Sequence, residues 1–167
     1  EEHNRVVADH TSDYRFAPTQ RAAANLEAEG IDDGVWVTGN TIVDAVVQNL
    51  DIARESTTVL EEQGLRPGEF VLLTAHRAEN VDDPSRLRGI LSGTARAADA
   101  EGLDCLFPVH PRTAASLARH AIDVPDGIRV VDPVDFLEFL TLEADAAVVV
   151  TDSGGVQEEA AILGTPC

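Results

Sequence analysis

Ala146-Ala147-Val148-Val149-Val150-Thr151-Asp152-Ser153-Gly154-Gly155-Val156-Gln157-Glu158-Glu159 is the stretch that decides the fold. An apolar β-type run stops at a polar, glycine-rich turn, and a helical pattern follows. That order puts free backbone N–H groups and a helix N-terminus at the carboxyl edge of a sheet. A phosphate binds there without needing a lysine, which matters because the chain contains no Lys.

Upstream, the same strand–helix unit recurs. Ile128–Val131 precedes a helical pattern at Asp135–Glu143, Leu103–Val109 precedes Pro111–His120, and Phe70–Ala75 precedes Pro84–Ala100. Four β/α units in series predict an α/β fold with a Rossmann-like, doubly wound parallel sheet. The strands are continuous apolar runs, as expected when helices cover both faces. Further upstream, Ile42–Gln63 reads as one long helix ending at Gly64, and Val35–Val37 as a short strand. Thr19–Gly30 reads as a helix with Thr19 as N-cap and Gly30 as stop. Arg66-Pro67-Gly68 is the expected seam. Residues 1–64 then form the end of one domain with its linking helix, and residues 65–167 most of a second. The chain opens on a helix in progress and closes on Leu163-Gly164-Thr165-Pro166-Cys167, a helix stop that leads into another strand. A fragment of a longer protein is expected.

Thirty acidic residues against 12 arginines give a formal net charge of −18. A nucleic-acid binder shows the opposite sign. The expectation is an acidic, halophilic surface, since at ~1 M salt the Debye length shrinks to ~3 Å and self-repulsion is screened; a basic partner protein is the sharper alternative. No apolar run approaches the ~18 residues of a membrane span, and no secretory pattern opens the chain. A cytoplasmic protein without a membrane partner is expected. Cys105 lies in the apolar run Leu103–Phe107 and Cys167 at the chain end, so the two make neither a disulfide framework nor a metal set. There is no G-x-G-x-x-G, no Walker loop, no G-x-S-x-G and no H-E-x-x-H, so no dinucleotide, hydrolase-elbow or zinc signature is present.

Loops that follow successive parallel strands open on one edge, where ligands bind. Here they carry His76-Arg77-Ala78-Glu79-Asn80, His110-Pro111-Arg112-Thr113, Asp132-Pro133 and Asp152-Ser153-Gly154-Gly155. Ser153, Gly154 and Gly155 suit a diphosphate; the plain alternative is a strand-to-helix turn with Ser153 as N-cap. Glu158 and Glu159 either complement the helix dipole or hold ribose hydroxyls. His76 is either a phosphate donor or acid, or a structural histidine. Arg77 either supplies charge to a ligand or pairs with Glu79 or a surface carboxylate. His110 and Arg112 allow the same two readings, and Phe139 is either a stacking platform or core.

Taken together these segments resemble the UDP-N-acetylglucosamine 2-epimerase family, whose two Rossmann-like domains are of the GT-B glycosyltransferase type. The matching strings are Glu1-Glu2-His3-Asn4-Arg5, Val37-Thr38-Gly39-Asn40-Thr41, Thr74-Ala75-His76-Arg77-Ala78-Glu79-Asn80, Pro108-Val109-His110-Pro111-Arg112-Thr113 and Thr151-Asp152-Ser153-Gly154-Gly155-Val156-Gln157-Glu158-Glu159. The last is the most specific. The resemblance implies that Ser153, Gly154 and Gly155 bind the diphosphate, Glu159 the ribose, and Phe139 the uracil, whose edge the backbone near Val134 reads. Val134 replaces a glutamine of some members. The resemblance also implies that His76 contacts the diphosphate and helps the leaving group, with Arg77 beside it, and that Glu1 matches a catalytic carboxylate. Glu79, His110 and Arg112 become second-site or structural residues.

The implied reaction interconverts UDP-GlcNAc and UDP-ManNAc, nucleotide sugars of polysaccharide biosynthesis, by elimination and re-addition of UDP. It needs no redox cofactor and no metal. Implied partners are UDP-GlcNAc or UDP and, at full length, a second copy in a homodimer. The hydrolysing variant of the family, a GT-B glycosyltransferase and a non-catalytic nucleotide-sugar module are the alternatives. The chain alone, holding half a cleft, is expected to be inactive.

Overall fold

The computed structural model describes residues 2–167. Two compact units divide between Ala45 and Val46. The first contains helix α1 (Glu2–Thr11), strand β1 (Arg15–Ala17), helix α2 (Gln20–Ala28), strand β2 (Val35–Val37) and the first turn of helix α3 (Thr41–Ser56). β1 and β2 pair in parallel. The expected signals around α2 are in place: the Thr19 side chain accepts the Ala22 N–H at 3.1 Å, and Gly30 leaves the helix at φ 84°. Gly34 is a position only glycine fits, with φ 61° and an added Cβ 2.4 Å from the Asp13 carbonyl oxygen. The unit's core is small (Ala17, Leu26 and Ile31), and Tyr14, Phe16 and Trp36 stand exposed.

The second unit continues through the rest of α3 and helix α4 (Val59–Glu62) into the strand–helix series. Strand β3 (Phe70–Thr74), helices α5 (Ala78–Val81) and α6 (Pro84–Glu101), strand β4 (Asp104–Pro108) and helix α7 (Pro111–Arg119) come first. Strand β5 (Ile128–Val131), helix α8 (Phe136–Asp145), strand β6 (Val148–Thr151) and helix α9 (Gly154–Leu163) complete it. All pairings are parallel, in the order β5-β4-β3-β6. The chain therefore winds outward from β3 to β5, then crosses back to lay β6 on the other side of β3. The reversal between β3 and β6 is where such sheets open a crevice for ligands.

Alternating strand residues feed two separate cores. Val71, Leu73, Cys105 and Phe107 face one layer with Leu87 and Leu91 of α6. Phe70, Leu72, Leu106 and Val149 face the other with Val59 and Leu142. Both faces of the sheet are buried, which explains the unbroken apolar strand sequences. Helix ends follow the written signals. Asp83 caps α6 ahead of Pro84 and Gly102 ends it, and Asp135 with Glu138 forms a capping box on α8.

One expectation fails. The helix expected over residues 42–63 breaks after Ser56, and α4 is a separate turn. The Ser56 hydroxyl bonds back to the Ile52 carbonyl at 2.6 Å, Thr57 reaches across to the Thr141 hydroxyl at 3.1 Å, and Thr58 donates to Glu62 at 2.6 Å. The Ser56 hydroxyl thus competes for a backbone carbonyl, and the two β-branched threonines, poor helix formers, hold the turn through side-chain bonds. Val59 and Leu65 lie in the second unit's core, so by packing that unit begins upstream of Arg66–Gly68. Among the described residues no helix is long and apolar enough to cross a membrane.

Candidate functional site

The site is assembled where β3 and β6 end. Thr74 of β3 pairs with Thr151 of β6, so the next residues of both strands leave the sheet side by side. Asp152 ties the two loops together. Its carboxylate accepts the backbone N–H groups of His76 and Arg77, each at 3.0 Å, and the Asn80 side-chain amide at 3.0 Å. Arg77 answers by donating its Nε–H to the Asp152 carbonyl at 2.6 Å. Partial burial works to raise the Asp152 carboxyl; the Asn80 amide, the Arg77 and His76 N–H groups and the His76 charge outweigh it and hold the group below its ordinary value. Its contribution to stability is therefore complete above pH ~4 and is lost only as pH falls through the lowered folded value.

Thr113 and Ser116, both buried on α7, anchor the β3 side. Thr113 donates to the Ala75 carbonyl at 2.5 Å and Ser116 to the Val81 carbonyl. On the β6 side the Ser153 N–H bonds to Thr151 Oγ1 at 3.0 Å and the Ser153 hydroxyl accepts the Val156 N–H at 3.4 Å. Ser153 is thus the N-cap of α9, and the glycines open that helix. Gly154 and Gly155 are exposed, and neither has a positive φ. An added Cβ would make only ordinary contacts, 3.8 Å from Arg77 Nη2 at Gly154 and 3.9 Å from Ser153 Oγ at Gly155. Neither conformation nor packing requires glycine there. What glycine provides is bare backbone at a helix N-terminus, next to an arginine.

The other sequence candidates divide. His110 lies beside His76, ring centroids 5.7 Å apart and planes tilted by 50°, while its Nδ1 caps α7 by accepting the Arg112 N–H at 3.2 Å. Arg112 turns outward to Asp82 in a two-pronged ion pair between exposed groups. Glu79 is exposed on α5. Phe139 of α8, Val134 of the loop after β5 and Val156 in the first turn of α9 are half-buried against the same core cluster. A depression of about 520 Å³ lies beside Val134, lined also by Val109, Asp132 and Pro133. Glu159 is half-buried on α9 beside Glu143 of α8. Glu1 lies outside the described residues.

Sequence reasoning missed Asp152, Asn80 and Glu143. Asp152 and Asn80 sit inside the two quoted strings, and the available signal was an acid and an amide in loops that must meet. Glu143 left no signal.

The family profile "UDP-N-acetylglucosamine 2-epimerase" matches residues 1–167. A UDP-N-acetylglucosamine 2-epimerase of Methanocaldococcus jannaschii is 44% identical over 174 aligned residues, covering 100% of this chain and 48% of the relative. One from Methanococcus maripaludis is 41% identical with the same coverage of each. The crystal structure of the M. jannaschii enzyme in complex with UDP-GlcNAc and UDP superposes with a TM-score of 0.89 at 45% identity, covering 100% of this chain and 48% of that one. The chain thus spans about half the length of these relatives. With its strand order, its paired loops and a match along its whole length, the chain belongs to the UDP-N-acetylglucosamine 2-epimerase family.

Proposed function

We propose that a protein of the relatives' full length carrying this chain (the full-length protein, below) is a UDP-GlcNAc 2-epimerase. The observation that carries this reading is the locked junction of β3 and β6. It sets the N-terminus of α9, with its two unrequired glycines, beside the Arg77 guanidinium and next to the loop that carries His76. That is a diphosphate cradle built from main-chain amides, in a chain without ammonium side chains.

The chemistry follows from the substrate. C2 of N-acetylglucosamine has no adjacent carbonyl in the ring, so its proton is not acidic enough for direct removal. Expelling UDP from C1 while a carboxylate takes the C2 proton gives a 2-acetamidoglucal. Re-addition of UDP with reprotonation on the opposite face gives the manno isomer. Two acid/base groups on different faces are needed, together with donors for the charge that develops on departing UDP. His76, Arg77, the Ser153 hydroxyl and the N–H groups of Gly154 and Gly155 serve the leaving group. Glu1 supplies one acid/base group, Glu159 holds the ribose, and Phe139 with the backbone near Val134 holds the uracil.

In that protein residues 1–64 carry the end of the N-terminal domain and the linking helix, whose later part packs on the second unit, and residues 65–167 make most of the nucleotide-binding domain. We place it in the cytoplasm, in keeping with two free cysteines, and as a homodimer, which sedimentation checks. The net charge of −18 is read as adaptation to salt, so the melting temperature rises with KCl.

The deciding experiment incubates the full-length protein with UDP-GlcNAc alone and follows proton NMR. UDP-ManNAc with exchange of the C2 proton in D₂O is expected. Free N-acetylmannosamine with UDP identifies the hydrolysing variant. An inert substrate that turns over only with an acceptor identifies a glycosyltransferase, and binding without exchange a non-catalytic module.

A further inference from the structure

Helix α8 buries a carboxyl group that the reaction above does not use. Glu143 has 0% of its surface exposed, and neither of its Oε atoms has a hydrogen-bond donor in place. Ionised, such a group costs several kcal/mol. Burial first, and then the Glu159 charge, push its pKa to about 8; the nearby Ala160 N–H, which makes no hydrogen bond to either oxygen, acts the other way and least of all. At neutral pH Glu143 therefore carries a proton.

Its neighbour is Glu159 on α9, the helix packed against α8. Glu159 is only half-buried. Burial and the charge of Glu158 raise it, while the bond with Glu143 lowers it. Two carboxyls in contact share one proton, and the more deeply buried partner keeps it. The missing donor of this site is then supplied by the pair itself, as an O–H···O⁻ bond from Glu143 to Glu159.

We propose that Glu143 is a positioning residue, whose carboxyl O–H donates to the Glu159 carboxylate and aims it at the ribose hydroxyls of the bound nucleotide. This rests on the reading of Glu159 as the ribose ligand. A glutamate on a helix surface samples many rotamers, and fixing them on binding weakens affinity. Held from below by Glu143, Glu159 is already placed. Among the described residues, Glu158 in the same turn also acts on the pair, and the Cys167 thiol is itself raised by burial and by Glu143. Helix α4, also packed on α8, turns Glu61 and Glu62 to solvent.

The test measures UDP and 2′-deoxy-UDP binding to the full-length protein by calorimetry. Glu143→Leu weakens UDP ~10-fold, the scale of one charge-assisted hydrogen bond, and leaves 2′-deoxy-UDP within ~2-fold. Glu143→Gln, whose amide still donates, stays within ~2-fold for both. Wild-type UDP affinity falls as pH rises through about 8, and Glu143→Gln shows no such fall. Equal losses for both nucleotides in Glu143→Leu, or unchanged UDP binding, overturn the proposal. If Glu143→Leu does not fold, the pH profiles decide, and a wild-type profile matching that of Glu143→Gln overturns it. Glu159→Ala separates the two levels. Unchanged UDP affinity there sinks the ribose reading itself, whereas a loss there without one in Glu143→Leu sinks only the role of Glu143.

Discussion

Two junctions of the same sheet carry nearly the same letters and do different things. After β3 the chain reads His76-Arg77, and after β4 it reads His110-Pro111-Arg112. At the first, Asp152 from the neighbouring β6 loop binds two backbone N–H groups and the Asn80 amide, so two loops become one rigid rim. At the second, Pro111 opens a helix, His110 caps it, and Arg112 reaches a surface aspartate. The β5 side adds one backbone bond, Val109 N–H to the Val131 carbonyl at 3.0 Å. The difference lies in topology. Among the described strands, order reverses only between β3 and β6; β4 and β5 also end in register, at Pro108 and Val131, but there a single backbone bond joins the loops, whereas a carboxylate binds three donors at the reversal.

The largest effect that would break this contrast belongs to the locked junction. His76→Ala lowers kcat of the full-length protein ~10²-fold or more, on the scale of a lost charge stabiliser. Asp152→Ala does the same without touching substrate, because loops that shift by about 1 Å lose ~10²-fold. It also leaves three donors without an acceptor, at a cost on the order of 2 kcal/mol in stability, read by urea unfolding. Turnover near wild type in either variant would remove the junction from the mechanism.

Next comes Gly154→Ala. The fold tolerates the methyl, and a helical Gly→Ala change stabilises by up to ~1 kcal/mol, so melting temperature holds or rises. UDP affinity falls ~10-fold because the methyl occupies ligand space. Loss of stability with affinity retained would make the glycine structural.

The buried Glu143 and the partly buried Asp152 sharpen the contrast through opposite pH slopes. Glu143 has a folded pKa above its ordinary 4.5, near 8, so the unfolded chain loses this proton first. Its contribution is complete below pH ~4.5 and declines by at most ~1.4 kcal/mol per pH unit as pH rises toward 8. Glu143→Gln removes that slope, while the Asp152 slope at acid pH survives. Equal slopes in the two proteins between pH 5 and 8 would contradict a buried protonated Glu143.

The smallest effect is Arg112→Ala. Both members of its ion pair are solvent-exposed, and such pairs contribute little, so melting temperature stays put and turnover changes less than ~2-fold. A large loss of activity would promote the β4 junction to a functional site.

Much of the fold was legible because period and punctuation agree. Apolar runs bounded by Gly102, Pro84, Asp135 and Ser153 place strands and helix ends within a residue or two. Helix α5, at four residues, is too short to show a period. The break after Ser56 was hidden in a pattern whose apolar spacing continues through it, and was decided by hydroxyl bonds to the backbone, to Thr141 and to Glu62. The candidate loops were legible as polar strand ends, but the bond network joining them was not, since Asp152 reads like any turn aspartate. Glu143 was invisible for the same reason. Burial, not residue type, gives it its proton.

The most direct test of the central claim is a crystal structure of the full-length protein with UDP. The diphosphate oxygens are expected within hydrogen-bonding distance of the Ser153 hydroxyl and the backbone N–H groups of Gly154 and Gly155, with His76 on the same phosphates and the Asp152 bonds intact. A diphosphate bound anywhere other than between the β3 and β6 loops would contradict the account.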